Sequence, residues 1–291
     1  MSSYRIVHTT TYSYDAEVTG SYGQFHLRPR DLGWQRCVAH EVQVRPEPAD
    51  LFTHVDVYGN TKSYFHVVKP HTKLRIDAIS MVEVYPPQLA EQALAQPWEQ
   101  ARPRVRPDEP DAWEAIDFTF ASPYVEIPDS VAAYAAESFP AGRPIGDAAS
   151  DLMHRIHADF TYKFGTTTLR TTVSELLERR TGVCQDYAHV MVSGLRSLGL
   201  ASHYVSGYLA TRVPAGRPRP VGADASHAWV GCWVPGAGWL HLDPTNDRLC
   251  DETHATVAWG RDYGDVAPVR GVIFTEAKKS KMKVSVDMVR A

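Results

Sequence analysis

The sequence predicts an α+β fold, because strand-like and helix-like patterns occupy separate parts of the chain. Residues 1–86 are rich in β-branched and aromatic residues, which favour extended strands. Apolar residues then recur at helical spacing between residues 131 and 198, and the alternation typical of strands returns between residues 201 and 243. Helices followed by an antiparallel sheet are typical of the α+β class.

The composition is typical of a soluble globular protein, and 291 residues are enough for two domains with a sizeable core. Hydrophobic residues make up 44% and charged residues 22%, and the net charge of −4 argues against nucleic acid or an anionic membrane as the main partner. The N-terminus is polar, and no apolar run reaches the length of a signal-peptide core or a membrane span. We therefore expect a cytoplasmic protein whose four cysteines are reduced thiols.

The first 86 residues are predicted to form an antiparallel β-sandwich-like domain or a curled sheet. Strand patterns span residues 4–14, 41–45 and 73–85. Tyr58-Gly59-Asn60 lies between two further β-like runs, which indicates a hairpin. The many aromatic residues of this region are interpreted as strand residues rather than as a binding platform.

Two segments flank the predicted core, which spans residues 123–270. Residues 87–122 are rich in proline and are predicted to be a connector, with a short helix at residues 88–94. Residues 271–291 end in an alternating run. We expect this C-terminal strand to return to the N-terminal sheet.

One cysteine lies where a helix is predicted to begin. Cys184 follows the pattern-breaking pair Thr181-Gly182, and Gly199 is predicted to end the helix as a C′ glycine. The residues on its apolar face are Tyr187, Ala188, Met191, Leu195 and Leu198. Backbone N–H groups are unpaired at a helix N-terminus and the helix dipole favours negative charge there, so Cys184 is a candidate nucleophilic thiolate. The plainer interpretation is a small buried hydrophobic residue.

A predicted β-hairpin downstream carries a candidate base. His227 begins one alternating strand and Asp243 ends the next, with a Pro/Gly turn between them. If His227 faces Asp243, the residue numbers of each facing pair add up to 470. Trp233 then faces Ala237 around a three-residue loop. A loop of even length would instead place His227 and Asp243 on opposite faces, and the pattern does not decide between the two.

Cys184, His227 and Asp243 together make a nucleophile, a base and a residue that orients the base. Each has a simpler interpretation: His227 as a polar strand residue, and Asp243 as a turn residue before Pro244. One mechanism explains all three better than three separate coincidences do.

The residues around these positions resemble the transglutaminase-like superfamily, within the papain-like cysteine enzymes. The matching blocks are GVCQDYAHVMVSGLRSLGL, SHAWV and GWLHLDPTND. They are most similar to bacterial transglutaminase-like proteins that are described as cysteine proteases and carry a β-rich region before the core. The resemblance implies a papain-like core of helices plus an antiparallel sheet. It also implies Cys184 as nucleophile, His227 as base and Asp243 as its orienting residue. No cofactor and no metal are expected, because the sequence has neither metal-ligand spacing nor an EF-hand-like acidic loop.

Further site residues are expected by the same resemblance or by position. An aromatic residue upstream of the cysteine can stabilise the oxyanion in this superfamily, and Tyr162 is the candidate, together with the Cys184 backbone N–H. Gln185, Asp186 and Trp229 are candidate substrate-binding residues. Asp186 has an alternative role as a charge at the helix N-terminus, which we favour.

The resemblance implies a cysteine-dependent amide-bond hydrolase, a protease or amidase, that acts through a thioester on a protein or peptide. The alternative is a transglutaminase-type acyltransferase that moves a glutamine acyl group to a primary amine. A third possibility is a non-catalytic module that binds peptide. A Pro/Gly/Arg-rich loop at residues 211–225 is expected to lie near the substrate.

Overall fold

The computed structural model describes residues 1–88, 90–104, 112–210 and 226–291, and it has the predicted α+β class. The strands are β1 (Ser2–Phe25), β2 (Gln35–Arg45), β3 (Asp50–Val55), β4 (Thr61–Val67), β5 (His71–Val84), β6 (Thr161–Tyr162), β7 (Thr181–Gly182), β8 (Ser202–Leu209), β9 (Ser226–Val234), β10 (Gly238–Asp243), β11 (Arg248–Leu249), β12 (His254–Gly260), β13 (Val269–Thr275) and β14 (Ser280–Arg290). The α-helices are α1 (Glu91–Leu94), α2 (Ala112–Ile116), α3 (Asp129–Ala136), α4 (Ile145–Asp159), α5 (Val173–Arg179), α6 (Cys184–Ser197) and α7 (Tyr263–Val266). None of these helices has the length and hydrophobicity of a membrane-crossing segment.

The N-terminal region forms one antiparallel sheet of seven strands, in the order β2-β5-β1-β4-β3, with β13 and β14 also paired to β1. β1 is 24 residues long, and its pairing shifts register between Ser13 and Val18 and again between Val18 and Gly20. Its first part pairs with β5 and β14, and its last part pairs with β4 and β13. The C-terminal strand β14 thus lies in the N-terminal sheet, with Tyr4 opposite Arg290 and Tyr14 opposite Ser280.

The sandwich-like packing comes from two parts of this single sheet rather than from two sheets. Phe25 and Phe65 belong to the part around β4, and Leu74 and Ile76 belong to β5, yet all four side chains share one buried cluster. Register shifts of the β-bulge type bend a strand, so one long strand can serve both parts. Alternation in the sequence indicates strands but not this continuity.

The segment predicted as a connector contributes to the core. Besides α1 and α2, it contains 3₁₀ turns at Trp98–Ala101 and Asp117–Thr119. Trp98 and Phe118 are both buried, the first in the main cluster and the second against Trp233. The short helix predicted at residues 88–94 is present as α1, whereas the elements after it are too short and too often interrupted by proline to show a helical period.

In the core, the central helix α6 packs against a five-stranded antiparallel sheet with the strand order β11-β10-β9-β8-β12. Every α6 residue from Asp186 to Arg196 is buried, because α3, α4, α5 and β9 surround it. The helix ends at Ser197, and Gly199 follows with a φ of +76°, as predicted for a C′ glycine.

The N-terminal sheet and the core share one hydrophobic cluster. Tyr4 and Ile6 of β1 and Met288 of β14 join the same buried cluster as Met191 and Leu195 of α6. The sheet therefore packs on the core and shares its buried cluster.

Gly207, which lies beside the predicted base, tests how closely β8 packs against its neighbours β9 and β12. Gly207 of β8 pairs with His227 of β9, and a Cβ on it would overlap the Ala255 carbonyl and the Trp229 ring. We expect Gly207→Ala to lower the free energy of unfolding by about 1–3 kcal/mol, measured by chemical denaturation. Gly33→Ala is the control, since no heavy atom lies within 4 Å of its added Cβ. Equal losses in the two variants would contradict the packing described here.

Candidate active site

Cys184 occupies the first position of α6, at the mouth of a cleft. Val183 before it is extended, with φ −119° and ψ −179°, so the helix starts at the cysteine itself. The thiol is partly exposed. The N-terminus of a helix leaves its first backbone N–H groups without partners inside the helix, and Cys184 lies at this end.

Asp186 fixes the start of this helix and is not a substrate ligand. Its carboxylate accepts hydrogen bonds from the Val183 backbone N–H at 2.8 Å and from the Thr167 hydroxyl at 2.7 Å. Burial raises its pKa, although these hydrogen bonds oppose the shift. Only 3% of Asp186 is exposed, so the capping role fits and the proposed contact with substrate is corrected.

The hairpin places His227 and Asp243 on the same face of the sheet. Its strands pair in a register shifted by two residues from the one in which His227 and Asp243 would face each other directly. Val234 pairs with Gly238 and Val230 with Leu242, so paired positions sum to 472 rather than 470. The loop is nevertheless three residues long, at residues 235–237. Because the two registers have the same parity, Asp243 stays on the face of His227 and is its diagonal neighbour. The directly facing pair was therefore wrong, while the shared face was right.

The two side chains are joined by a short hydrogen bond. Nε2 of His227 donates to Oδ2 of Asp243 at 2.7 Å, where Asp243 is fully buried and 9% of His227 is exposed. This bond leaves Nδ1 of His227 without a bond to Asp243, and His227 lines the same cleft as Cys184. The structure thus brings all three predicted residues together.

Burial and charge act against each other on this pair. Burial alone lowers the pKa of His227, but hydrogen bonds to Asp243 and Cys184 outweigh it and raise the pKa to about 9. Burial alone would raise the pKa of Asp243, but hydrogen bonds from His227 and His254 hold it well below the usual range. An ionised carboxylate beside an imidazolium is therefore the stable state at neutral pH.

Asn246 and its loop also hold the carboxylate. The Asn246 side-chain amide donates to Asp243 Oδ2 at 2.7 Å, and the backbone N–H groups of Thr245 and Asn246 donate to Oδ1 at 3.1 and 3.2 Å. The sequence offered a signal for this, because an Asp before Pro244 is typical of a turn that closes on its own backbone.

A second histidine lies behind Asp243 and was missed. His254 Nε2 donates to Asp243 Oδ2 at 3.2 Å, and its Nδ1 lies 3.1 Å from Asp251 Oδ1. Burial lowers the pKa of His254, but the two carboxylates raise it further and the net shift is upward. His254 begins β12, which pairs with β8 at the far edge of the sheet, so no local pattern could link it to Asp243.

The cleft beside Cys184 has a volume of about 320 Å³ and is also lined by Gln185, His227 and Tyr162. Tyr162 lies on β6, which pairs with β7 just before the cysteine, and 44% of it is exposed. Burial raises the pKa of its hydroxyl to about 12, with a further contribution from the charge of Cys184. Tyr162 and Cys184, the two residues that would supply the oxyanion donors, therefore line the same cleft.

Trp229 supports the site from inside and does not line this cleft. Only 1% of it is exposed, and its indole N–H donates to His241 Nδ1 at 3.2 Å. Its ring packs edge-on against His254, with 5.4 Å between the ring centroids. The expected contact with substrate is corrected, because alternation put Trp229 on the face of His227 but could not show that β8 and β12 cover it.

Two other expectations concern what lies around the site. The loop at residues 211–225 falls outside the described residues. In the part of the chain that the structure describes, no group of three or more His, Cys, Asp or Glu side chains is placed to hold a metal ion.

Asp243→Asn is expected to lower the pKa of His227 from about 9 to below 7, because burial remains while the carboxylate contribution is lost. A histidine pKa raised above its unfolded value of about 6.5 stabilises the fold fully below that value, and this contribution is lost as the pH rises through 9. NMR titration of the His227 ring measures the shift, and unfolding between pH 6.5 and 9 measures the linked loss. Asp147→Asn, at an exposed position of α4, is the control. A His227 pKa unchanged by Asp243→Asn would refute the pairing.

Two family models match the chain. Residues 4–83 match the bacterial transglutaminase-like N-terminal region, and residues 133–244 match the transglutaminase-like superfamily. The second match contains Cys184, His227 and Asp243.

Relatives and solved structures agree with these matches. An uncharacterized protein of Mycobacterium tuberculosis is 47% identical over 98% of this chain and 92% of its own length. A protein-glutamine gamma-glutamyltransferase of Pseudomonas aeruginosa is 41% identical over 71 residues, which are 24% of this chain and 11% of that protein. The crystal structure of a suspected cysteine protease from Cytophaga hutchinsonii superposes with a TM-score of 0.73 at 18% identity, covering 98% of this chain and 90% of that one, which shows a shared fold.

Proposed function

The chain belongs to the transglutaminase-like superfamily, and on this premise we propose that it is a cysteine-dependent hydrolase of amide bonds in a protein or peptide. The observation that carries the proposal is the buried hydrogen bond between His227 and Asp243, at a cleft that His227 and Cys184 both line. A protein that only bound peptide would not need a buried carboxylate that keeps a histidine protonated at neutral pH. The cytoplasmic location stays a prediction.

In the proposed first half-reaction, His227 holds the thiol proton and leaves Cys184 as a thiolate. The thiolate sulfur attacks the amide carbon, and the C=O pair moves onto oxygen. The Cys184 N–H and the Tyr162 hydroxyl donate to this oxyanion. When the tetrahedral intermediate collapses, the C–N bond breaks and the amine leaves with the proton from His227. The acyl group remains on Cys184 as a thioester.

In the second half-reaction, the now neutral His227 takes a proton from a water molecule as the water attacks the thioester carbon. The C–S bond breaks, the carboxylic acid leaves, and the thiolate–imidazolium pair is restored. Asp243 keeps the ring of His227 in one orientation throughout, and Asn246 and His254 keep Asp243 in place.

The second candidate function is acyl transfer to a primary amine. It is favoured by the 71-residue similarity to the P. aeruginosa glutamyltransferase. The same thioester would form, and an amine such as a lysine side chain would replace water in the second half-reaction. The first half-reaction is identical, so the acceptor alone distinguishes the two enzymes.

The test follows ammonia or newly formed amines from a panel of glutamine-containing and other amide substrates, with and without a fluorescent primary amine. Purified wild-type protein is compared with Cys184→Ala. Cleavage without incorporation of the amine, lost in the variant, is the expected result. Incorporation lost in the variant would establish transfer instead. Turnover that survives in Cys184→Ala would overturn the whole proposal.

A further inference from the structure

The N-terminal sheet forms one wall of the cleft that contains Cys184. Thr10 and Tyr12 of β1 and Met282 and Val284 of β14 line the same cavity as the cysteine. In the sheet, Thr10 lies opposite Val284 and Tyr12 opposite Met282, so these four side chains occupy one face. Strands β1 and β14 therefore both border the cleft that contains Cys184.

Two apolar side chains of this wall are exposed, whereas Thr10 is buried. Met282 is 60% exposed and Val284 is 41% exposed, whereas Val286 and Met288 on the same strand are 1% exposed and lie in the core. The C-terminal half of β14 is thus buried in the core, and its N-terminal half lines the cleft. Across the cleft, Phe164 is 76% exposed. Exposed apolar side chains grouped in a concave site are typical of a surface that a ligand covers.

The strand pattern keeps charge out of the cleft. Lys281 and Lys283 alternate with the apolar residues and lie on the opposite face of β14, opposite Ser13 and Thr11. Among the described residues that line the cleft, none is Asp, Glu, Lys or Arg. Apart from the Cys184–His227 pair, the described lining therefore offers a charged substrate group no partner of opposite charge in return for the water it loses.

The histidine of this wall adds no charge either. Nδ1 of His8 bonds to the Tyr208 hydroxyl at 3.0 Å, and Nε2 bonds to the Thr10 hydroxyl at 2.9 Å. Burial lowers the pKa of His8 to about 4, so its ring is neutral at pH 7. His8 therefore holds Thr10 in place beneath the cleft.

We propose that Tyr12, Met282 and Val284 form a specificity subsite for an uncharged apolar or aromatic group next to the amide that Cys184 attacks. This inference rests on the proposed function and names the substrate class: amides flanked by neutral apolar side chains, in preference to acidic or basic ones. The N-terminal sheet then binds substrate as well as supporting the core.

The preference is measured by alkylation of Cys184, which requires a reactive thiol but no turnover. The thiolate displaces iodide from the reagent, forming one S–C bond. Three reagents are compared: iodoacetamide, its N-benzyl derivative, and iodoacetate. Mass spectrometry of the Cys184 peptide gives each rate constant, normalised to the reaction of the same reagent with glutathione.

We expect the benzyl reagent to label Cys184 about 10-fold faster than iodoacetamide, because it buries apolar area on the wall. Iodoacetate, whose carboxylate can pair with the His227 imidazolium but not with the wall, should keep its normalised rate in the wall variants. Met282→Lys should remove most of the advantage of the benzyl reagent. Val289→Lys is the control, since Val289 lies on the opposite face of β14 and is 44% exposed.

Three outcomes would overturn the subsite. They are equal normalised rates for all reagents, an unchanged preference in Met282→Lys, and an equal loss in Val289→Lys. Failure of the proposed function has a different signature, which is slow labelling of Cys184 by every reagent. The two failures are therefore distinguishable.

Discussion

Replacing His227 by glutamine is expected to lower kcat/KM by about 10⁴-fold or more, because one residue serves as base and acid in both half-reactions. Glutamine can still donate to the Asp243 carboxylate, so the buried pair keeps a hydrogen bond and the fold is retained. It cannot take the thiol proton from Cys184 or deliver a proton to the leaving amine. The measurement is turnover of whichever amide substrate the wild-type protein accepts.

The same variant should also change the thiol before any chemistry on a substrate. Without an imidazolium beside it, Cys184 loses its cationic partner, and its alkylation by iodoacetamide near neutral pH should slow by about 10-fold or more. His54→Gln is the control, because His54 is an exposed residue of β3 on the N-terminal sheet. Turnover within 10-fold of wild type for His227→Gln would remove His227 from the mechanism.

The sequence identified the parts of the site that depend on local patterns. A helix start and an alternating strand are each encoded within about ten residues, so Cys184 could be placed at a helix N-terminus and His227 and Asp243 on two strands of one hairpin. Whether these two residues share a face depends on the loop length, which the pattern left open, and the register considered was off by two residues because alternation does not decide which pair closes the turn.

Such local patterns could not predict which site residues are buried or which distant strands pair. Asp186 and Trp229 have polar or amphipathic side chains that suit substrate contact, yet neighbouring elements cover both of them. His254 reaches Asp243 only because β8, β9 and β12 bring their ends to one edge of the site. Which strand becomes whose neighbour depends on the whole sheet, and a single sequence carries no direct signal for it.

In the N-terminal sheet, too, the strands could be predicted from local patterns but their long-range pairing could not. Its strands were visible as runs of β-branched and aromatic residues, and the alternating tail was expected to join them. That β1 would extend over 24 residues and serve two parts of one sheet was not visible, because register shifts occur at residues with no special signature. The consequence matters for function, since the face shared by β1 and β14 lines the cleft.

A buried arginine at the far end of α6 is expected to matter most for stability. Arg196 is 3% exposed, and burial lowers the pKa of its guanidinium to about 10, so that it stays charged at neutral pH. Its hydrogen bonds run to the carbonyl oxygens of Phe118 (2.9 Å), Phe120 (2.9 Å), Ser202 (2.9 and 3.2 Å) and Arg261 (2.7 Å). One side chain thus joins α6 to the segment before the core, to the start of β8 and to the end of β12.

Arg196→Met is expected to lower the free energy of unfolding by about 3–5 kcal/mol, because methionine fills part of the volume but leaves several buried carbonyls without donors. Arg196→Lys should recover little of this loss, since an ammonium group cannot reach donors spread over the same fork. Chemical denaturation measures both variants.

The matched control is Arg179→Met on α5. Arg179 is exposed and pairs with Glu175 at 3.4 Å, so its replacement should cost less than about 1 kcal/mol. The effect of Arg196→Met should fall on stability alone, because Arg196 lies about three turns of helix from Cys184. Below its melting temperature, the folded variant should therefore label Cys184 with iodoacetamide at the wild-type rate. A small loss of stability would mean that the four carbonyls find other donors, and slowed labelling would mean that this end of α6 helps to set the position of the nucleophile.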